Sequence, residues 1–338
     1  MSDDEPADAP TGSPKAEKRT RIIHRMALVQ AVLLLAVVVA ALPFAFRSMG
    51  IQLTERQART LYDFPSGSPV EADSEIDAAA SESFFNIAAI ALDEETGSIT
   101  LAVSGHRNCN EQCAPLQMTL FSLDDDADVR RALPPSAPLT LDSKVQFISQ
   151  TVQLPIRGQP SQYPFDDYLL WLGLSGTVAV GGTPVPLTPE LVAGKALFTT
   201  QNQLRDFTMR PPVNIPPARV RAVADPFDFF GVQELRLERP VHMEILSVLL
   251  IALIAVSAIM AVAMRDISDL IVGIGSLILG IWGVRSVLVP QPLPVVTSID
   301  LALSVVILFV LLGLSFRAAQ HFQRGADLPE VKLRRRRG

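Results

Sequence analysis

Apolar residues along this chain follow two different patterns. In one they form four long blocks, residues 26–46, 245–264, 270–289 and 295–316, each close to the roughly 20 residues a helix needs to cross the hydrocarbon of a bilayer. In the other, between the first and second blocks, they come in short runs separated by turn residues. Residues 84–92 and 99–103 flank Asp93, Glu94, Glu95, Thr96 and Gly97, an acidic hairpin turn with glycine at its bend. Further strand-compatible runs are 116–123, 144–154, 168–174, 178–187, 204–209, 220–224 and 232–237. Proline lies mostly between these runs. Short strands at regular spacing with Pro- and Gly-rich turns predict an all-β sandwich. A short helix is expected over 189–194, and 53–77 reads as a polar stalk or a first irregular strand.

Charge orients this pattern. Lys15, Lys18, Arg19, Arg21 and Arg25 precede the first apolar block, and Lys332 and Arg334 to Arg337 close the chain. The positive-inside rule then places both termini in the cytoplasm and the β domain outside it. The expected fold class is a membrane bundle of four transmembrane helices carrying an extracytoplasmic β-sandwich. The expected organisation is a disordered tail (1–25), an uncleaved signal anchor (26–46), the β domain (47–240), a three-helix membrane region (241–316) and a basic cytoplasmic tail (317–338). A cleaved signal peptide is the competing reading of the first block. The implied location is the plasma (inner) membrane. The last predicted strand passes through Arg239 and Pro240 into the second block without a linker, so movement of the sandwich would be felt by that helix.

Composition adds little to this. Of 338 residues, 49% are hydrophobic and 19% charged, as expected if much of the chain avoids water. The net charge of −6 mixes segments from the two sides of the membrane. The terminal arginines read as a topology signal or a contact with anionic lipid, not as a nucleic-acid surface.

Candidate chemistry is sparse. The two cysteines, Cys109 and Cys113, lie in the outer domain, and their simplest reading is a disulfide closing a very small loop. With His106 they could instead contribute to a metal site needing one more ligand. The acidic turn Asp124 to Asp126 is read as a solvated loop before a calcium site. There is no Gly-x-Ser-x-Gly elbow, Walker loop or His-Glu-x-x-His, so no catalytic, cofactor-binding or metal-binding residue is assigned and an enzyme is not expected. Ionisable residues inside membrane spans are costly and draw notice by default. Glu244, Arg285 and Asp300 all fall near the outer ends of the predicted spans, where they could form a charge network. Gly273, Ser276, Gly280 and Gly283 share one helix face that suits close packing or lines a narrow pore, with Asp266 and Asp269 at its inner mouth.

The stretch Tyr163-Pro164-Phe165-Asp166-Asp167-Tyr168, set in a plan of anchor, sandwich and three further spans, resembles an uncharacterised family of four-span bacterial membrane proteins described as a domain of unknown function. Shorter motifs between 163 and 316 resemble pentameric ligand-gated ion channels of the Cys-loop type. These are Tyr163 to Asp166, Arg239-Pro240, Arg285, Pro290, Pro294 and Ile299-Asp300. That resemblance implies a loop around Phe165 pressing on the 289–297 turn, with Arg285 helping to couple them. The two functions carried forward are a non-enzymatic, sensor- or channel-like protein, and a cell-envelope assembly factor presenting its β domain to protein partners. A channel-like protein would be a homo-oligomeric ring.

Overall fold

The computed structural model describes residues 39, 43, 47, 60–70, 83–109, 113–123, 133–220, 228–264, 275, 278–286, 289 and 296–326. The order starts with β1 (Leu61–Asp63), β2 (Pro69–Val70), β3 (Ser83–Asp93), β4 (Ser98–His106), β5 (Leu116–Ser122), β6 (Ser136–Leu141), β7 (Phe147–Pro155) and β8 (Arg157–Gly158). A 3-10 turn (Pro160–Gln162), β9 (Asp167–Val180), β10 (Thr183–Pro186), α1 (Pro189–Val192), β11 (Ala196–Asn202), β12 (Thr208–Met209), β13 (Val213–Asn214), α2 (Pro217–Val220) and β14 (Phe229–Glu238) follow. Two long helices, α3 (Val241–Met264) and α4 (Ser298–Ala326), complete it.

The strands form two sheets. One runs β2-β1-β11-β3-β4-β7; the other runs β12-β14-β9-β5-β6, with β8 and β10 pairing to β9 and β13 to β14. Alternate residues of both sheets point inward and share one core, including Ile99, Leu101, Leu120, Leu154, Leu170 and Leu172, each almost fully buried. This is the sandwich arrangement in which two inner faces interdigitate. The β3–β4 turn closes as the sequence suggests. Asp93 Oδ1 accepts from the backbone N–H groups of Glu95 and Thr96, and Gly97 takes φ +62°. Those bonds, led by the one from Thr96, hold the Asp93 carboxyl below its ordinary pKa.

Three details depart from the sequence reading. The run 168–174 and residues 178–180 are joined in one long strand, β9, and the chain reverses at Gly181-Gly182 into β10. Gly176 inside β9 is a close-approach position, because a Cβ there would lie 2.9 Å from the Gln117 carbonyl oxygen. Strand β11 is not marked by alternation, yet it lies between β1 and β3 and pairs with β3 in parallel. Val220, read as the start of a strand, ends α2.

A buried polar bridge links the sheets. Gln233 on β14 is fully buried; its Nε2 donates to the carbonyls of Asp63 (2.9 Å) and Phe64 (2.7 Å) on the opposite sheet, and its Oε1 accepts from Thr200 Oγ1 (3.0 Å). Beside it Thr199 Oγ1 donates to Asn86 Oδ1 at 3.0 Å. Every donor and acceptor in such an interior group must be matched.

The expected fold class needs correction: the chain is not a four-helix membrane bundle. Its described residues are mainly β-sheet, and two of the helices are long and apolar enough to cross a membrane, over 241–259 and 298–320. Only 17% and 22% of those windows is buried, and Leu301, Leu308, Leu312 and Phe316 are exposed. The first apolar block, the tail before it and the far C-terminus lie outside the described residues apart from Val39, Pro43 and Arg47. So do Asp124 to Asp126, Asp266, Asp269, Gly273, Ser276, Pro290 and Pro294. In the third block, 278–286 are helical. The physical reason is that the expected class was named for the long apolar blocks, whereas the short strands between the first and second of them pair into two sheets that dominate the described residues.

Contacts divide the chain into two compact units, one of Phe46–Glu244 with Val289–Ser298, the other of Met1–Ala45, Ile245–Leu288 and Ile299–Gly338. In the second, Gly313 of α4 sits against α3, where a Cβ would come 2.6 Å from Val262 Cγ1.

Replacing Gln233 by Leu should lower the unfolding free energy by about 2–3 kcal/mol, because it strands two carbonyls and a threonine hydroxyl in the interior. Chemical unfolding followed by tryptophan fluorescence checks this; unchanged stability would show the bridge to be dispensable.

Candidate functional site: the buried Arg239 cluster

Arginine cannot shed its charge in a protein, so burying one requires compensation. Strand β14 alternates inward and outward down to Glu238, and the chain then delivers Arg239 to the interior, where its side chain is 2% exposed. Asp166, with a side chain 0% exposed, meets it. Arg239 Nε donates to both carboxylate oxygens, at 3.1 and 3.2 Å, and Nη2 donates to Oδ2 at 3.1 Å. Nη2 also donates to Glu94 Oε1 at 2.5 Å. The guanidinium carbon lies 4.8 Å from the ring centre of Tyr163 and 4.2 Å from that of Phe207, so aromatic faces cover the cation where carboxylates do not.

Each partner arrives from a different part of the β unit. Glu94 comes from the β3–β4 turn. Asp166 and Tyr163 come from the loop before β9, where the Tyr163–Pro164 peptide is cis and Phe165 N donates to the Gln162 carbonyl. Phe207 precedes the edge strand β12. Tyr168, the first inward residue of β9, stands edge-on to Phe207 at 5.4 Å and directs its hydroxyl to Glu94 Oε2 at 3.4 Å. Its other flank is closed by Gly158 of β8, where a Cβ would fall 2.1 Å from the Tyr168 ring.

The charges do not cancel: one guanidinium faces two carboxylates. Burial pulls the Arg239 pKa down, and the hydrogen bonds and charges of Asp166 and Glu94 together outweigh it, so the group lies above the ordinary arginine value. Burial also raises the Glu94 carboxyl, and the attraction of Arg239 only partly offsets it. Asp166 occupies the forked face of the guanidinium, which makes Glu94 the second partner and the group that accepts a proton more readily than a free glutamate. Burial, with the nearby carboxylates, raises the phenols of Tyr163 and Tyr168 as well, so both stay neutral.

Of the residues singled out from the sequence, Tyr163, Asp166 and Arg239 are thus brought together, with Pro164 in the loop and Pro240 following Arg239. Phe165 is half exposed and outside the cluster. The same loop meets the segment Val289–Ser298, which belongs to the β unit: Ser298 Oγ donates to the Ser161 carbonyl at 3.3 Å. In the helical unit Arg285 pairs with Asp300 through Nε and Nη2, and Trp282 lies beneath the guanidinium at 5.8 Å. Glu244 falls in the other unit. Glu94, Tyr168 and Phe207 were missed as partners of Arg239. In the sequence Glu94 belongs to the acidic hairpin turn and Phe207 to the strand-compatible run 204–209. A buried guanidinium demands acidic partners, and burial is not visible in sequence.

Cys109 and Cys113 form a disulfide. It is braced from within by Arg107, which is buried and donates to the carbonyls of Ala114 and Asp142 on the far side of the small loop. Burial lowers the pKa of that guanidinium. The metal alternative for His106 loses both thiols to the disulfide.

Asp166→Ala leaves a buried arginine short of its main partner and should cost about 3–5 kcal/mol of stability at neutral pH. Glu94→Gln should behave differently. A carboxyl whose folded pKa is raised favours the native state fully only below its unfolded value, and that contribution is lost as pH rises through the folded value. Wild-type stability should therefore fall across that window relative to Glu94→Gln. Parallel pH curves for the two proteins would contradict the assignment.

A family described as a domain of unknown function (DUF4436) matches residues 121–215. The match takes in Tyr163, Asp166, Tyr168 and Phe207 and ends before Arg239. No curated protein matches the chain.

Proposed function

We propose that this is a non-enzymatic membrane protein in which an extracytoplasmic β-sandwich is mechanically tied, through the Arg239 cluster, to the helix that follows it. The observation carrying this reading is that Arg239 lies two residues before α3 and is clamped by side chains from two separate loops and an aromatic from a third. A displacement of the Tyr163 loop or of the β3–β4 turn moves carboxylates bound to the residue that starts the helix. The contact from Ser161 to Ser298 gives the same loop a hold on the first residue of α4. A mechanical role fits better than a catalytic one, since Asp166 and Arg239 are sealed from any substrate.

The location follows from separate chemistry. Disulfides persist in oxidising compartments, which supports placing the β unit outside the cytoplasm. The basic flanks of the chain support cytoplasmic termini, and a plasma-membrane location accommodates both. The lipid bilayer is then the one obligatory partner.

Hydrogen exchange on the full-length protein in lipid nanodiscs tests the coupling. Asp166→Ala should speed exchange at residues 241–247 by about tenfold or more, equivalent to roughly 1.4 kcal/mol of local opening. Faster exchange confined to the Tyr163 loop would leave the cluster a local staple and end this reading. Protease added to intact spheroplasts should cut within 60–240; full protection would contradict the outside placement.

A further inference from the structure

Strand β14 ends at Glu238, α3 begins at Val241 and α4 begins at Ser298. Val241 and Ser298 are also the first residues of the two stretches long and apolar enough to cross a membrane. Both belong to the β unit, which takes in the chain up to Glu244 and Val289–Ser298. Each apolar helix therefore starts on the β unit itself.

One loop of that unit is tied to both starting points. Asp166 is bonded to Arg239, two residues before Val241. The Ser161 carbonyl accepts from Ser298 Oγ. Phe165 lies on the loop between these two attachments. The loop is held from within, since Tyr163 and Asp166 are buried and Phe165 N donates to the Gln162 carbonyl at 2.8 Å. Yet the phenyl ring of Phe165 is half exposed. Val241, and Val296 two residues before α4, are exposed as well. Single exposed apolar residues are ordinary on a protein surface. These three differ from Val180 or Val213 elsewhere on the unit, because each lies beside a point where the chain enters an apolar helix.

We propose that Phe165, Val241 and Val296 form a lipid-contact face of the β unit, with the Phe165 ring seated in the headgroup region of the outer leaflet. The occupant follows from chain continuity: where a spanning helix starts, the bilayer surface is what covers an exposed apolar side chain. The proposal rests on α3 and α4 crossing a membrane and stands whether or not the Arg239 cluster transmits movement. Rings and branched side chains at such a depth sit about 5–10 Å into the boundary between headgroups and acyl chains. Ser161 and Gln162, beside Phe165, are exposed, polar and uncharged, which suits headgroups and keeps the loop out of the hydrocarbon. The loop that supplies Asp166 to Arg239 then rests on the membrane surface.

Cys109 and Cys113 are the chain's two cysteines and are joined to each other, so an introduced cysteine is the one free thiol. Full-length Phe165→Cys, Val296→Cys, Val180→Cys and Leu308→Cys each carry a nitroxide label in nanodiscs of phosphatidylethanolamine and phosphatidylglycerol. Power-saturation spectra read how often the label meets oxygen, which partitions into lipid, and a water-soluble nickel chelate. Val180, exposed at the opposite end of β9 from Asp167, reports water; Leu308, exposed within α4, reports lipid. The oxygen-to-nickel ratio at 165 and 296 should lie several-fold above that at 180 and below that at 308. Val296→Cys leaves the loop untouched and carries the test where Phe165→Cys does not fold. Ratios at 165 and 296 equal to that at 180, with 308 in lipid, would overturn this proposal alone. Shielding of the 165 label from both reagents would place the ring against protein and overturn it too. Free access of nickel to 308 would remove the membrane reading beneath it, and the proposal with it.

Discussion

The structure turns on one charge that cannot be neutralised and lies where water does not reach. Arg239 follows β14 and precedes α3, so whatever satisfies its guanidinium also fixes the end of that strand. Asp166 meets it with a carboxylate across the fork, Glu94 takes the remaining Nη2 bond, and Tyr163 and Phe207 cover its faces. Isolated, such a cation would cost several kcal/mol of desolvation, so the three loops cannot drift apart independently. Smaller features serve the same arrangement. Gly158 leaves room for the Tyr168 ring, which points at Glu94, and Tyr163 sits on the loop that also carries Asp166.

The sandwich behind the cluster is built to hold that geometry. Its shared core of branched and aromatic side chains is supplemented by Gln233, which spans from β14 to the carbonyls of β1 and the hydroxyl of Thr200. An apolar core alone tolerates small slides between sheets; a fully matched polar bridge resists them. Strand β14 carries both the bridge and, just past its end, Arg239, so the strand that leads to the helix is fixed to both sheets.

Much of the β unit was legible in the chain. The β3–β4 hairpin announces itself through Asp93 and Gly97, and β14 through the alternation of Leu235 and Leu237 with charged residues up to the Arg-Pro pair. Cys109 and Cys113, four residues apart outside the expected membrane region, form the bond their spacing allows. What stayed hidden depends on distance in three dimensions. Parallel insertion of β11 between β1 and β3 has no local signature. Neither does the meeting of Glu94 with Arg239 across 145 residues of sequence. The motif at Tyr163 to Asp166 could be singled out, and so could Arg239, but their pairing needed the fold. The long apolar runs drew the fold class toward a helical bundle, whereas the short strands between the first two of them make up the two sheets. Two helices, not four, meet the length and composition a span needs among the described residues.

The central claim is that Asp166 and Arg239 act as one unit. A double-mutant cycle with Asp166→Ala, Arg239→Met and the double variant, read by unfolding free energy in detergent, tests it most directly. The account predicts a coupling energy of about 2 kcal/mol or more, with the double variant closer to wild type than Asp166→Ala alone, since it buries no uncompensated charge. Additive losses in the double variant would show that the two side chains contribute separately, and that the arginine at the end of β14 is not held by the loop beside it.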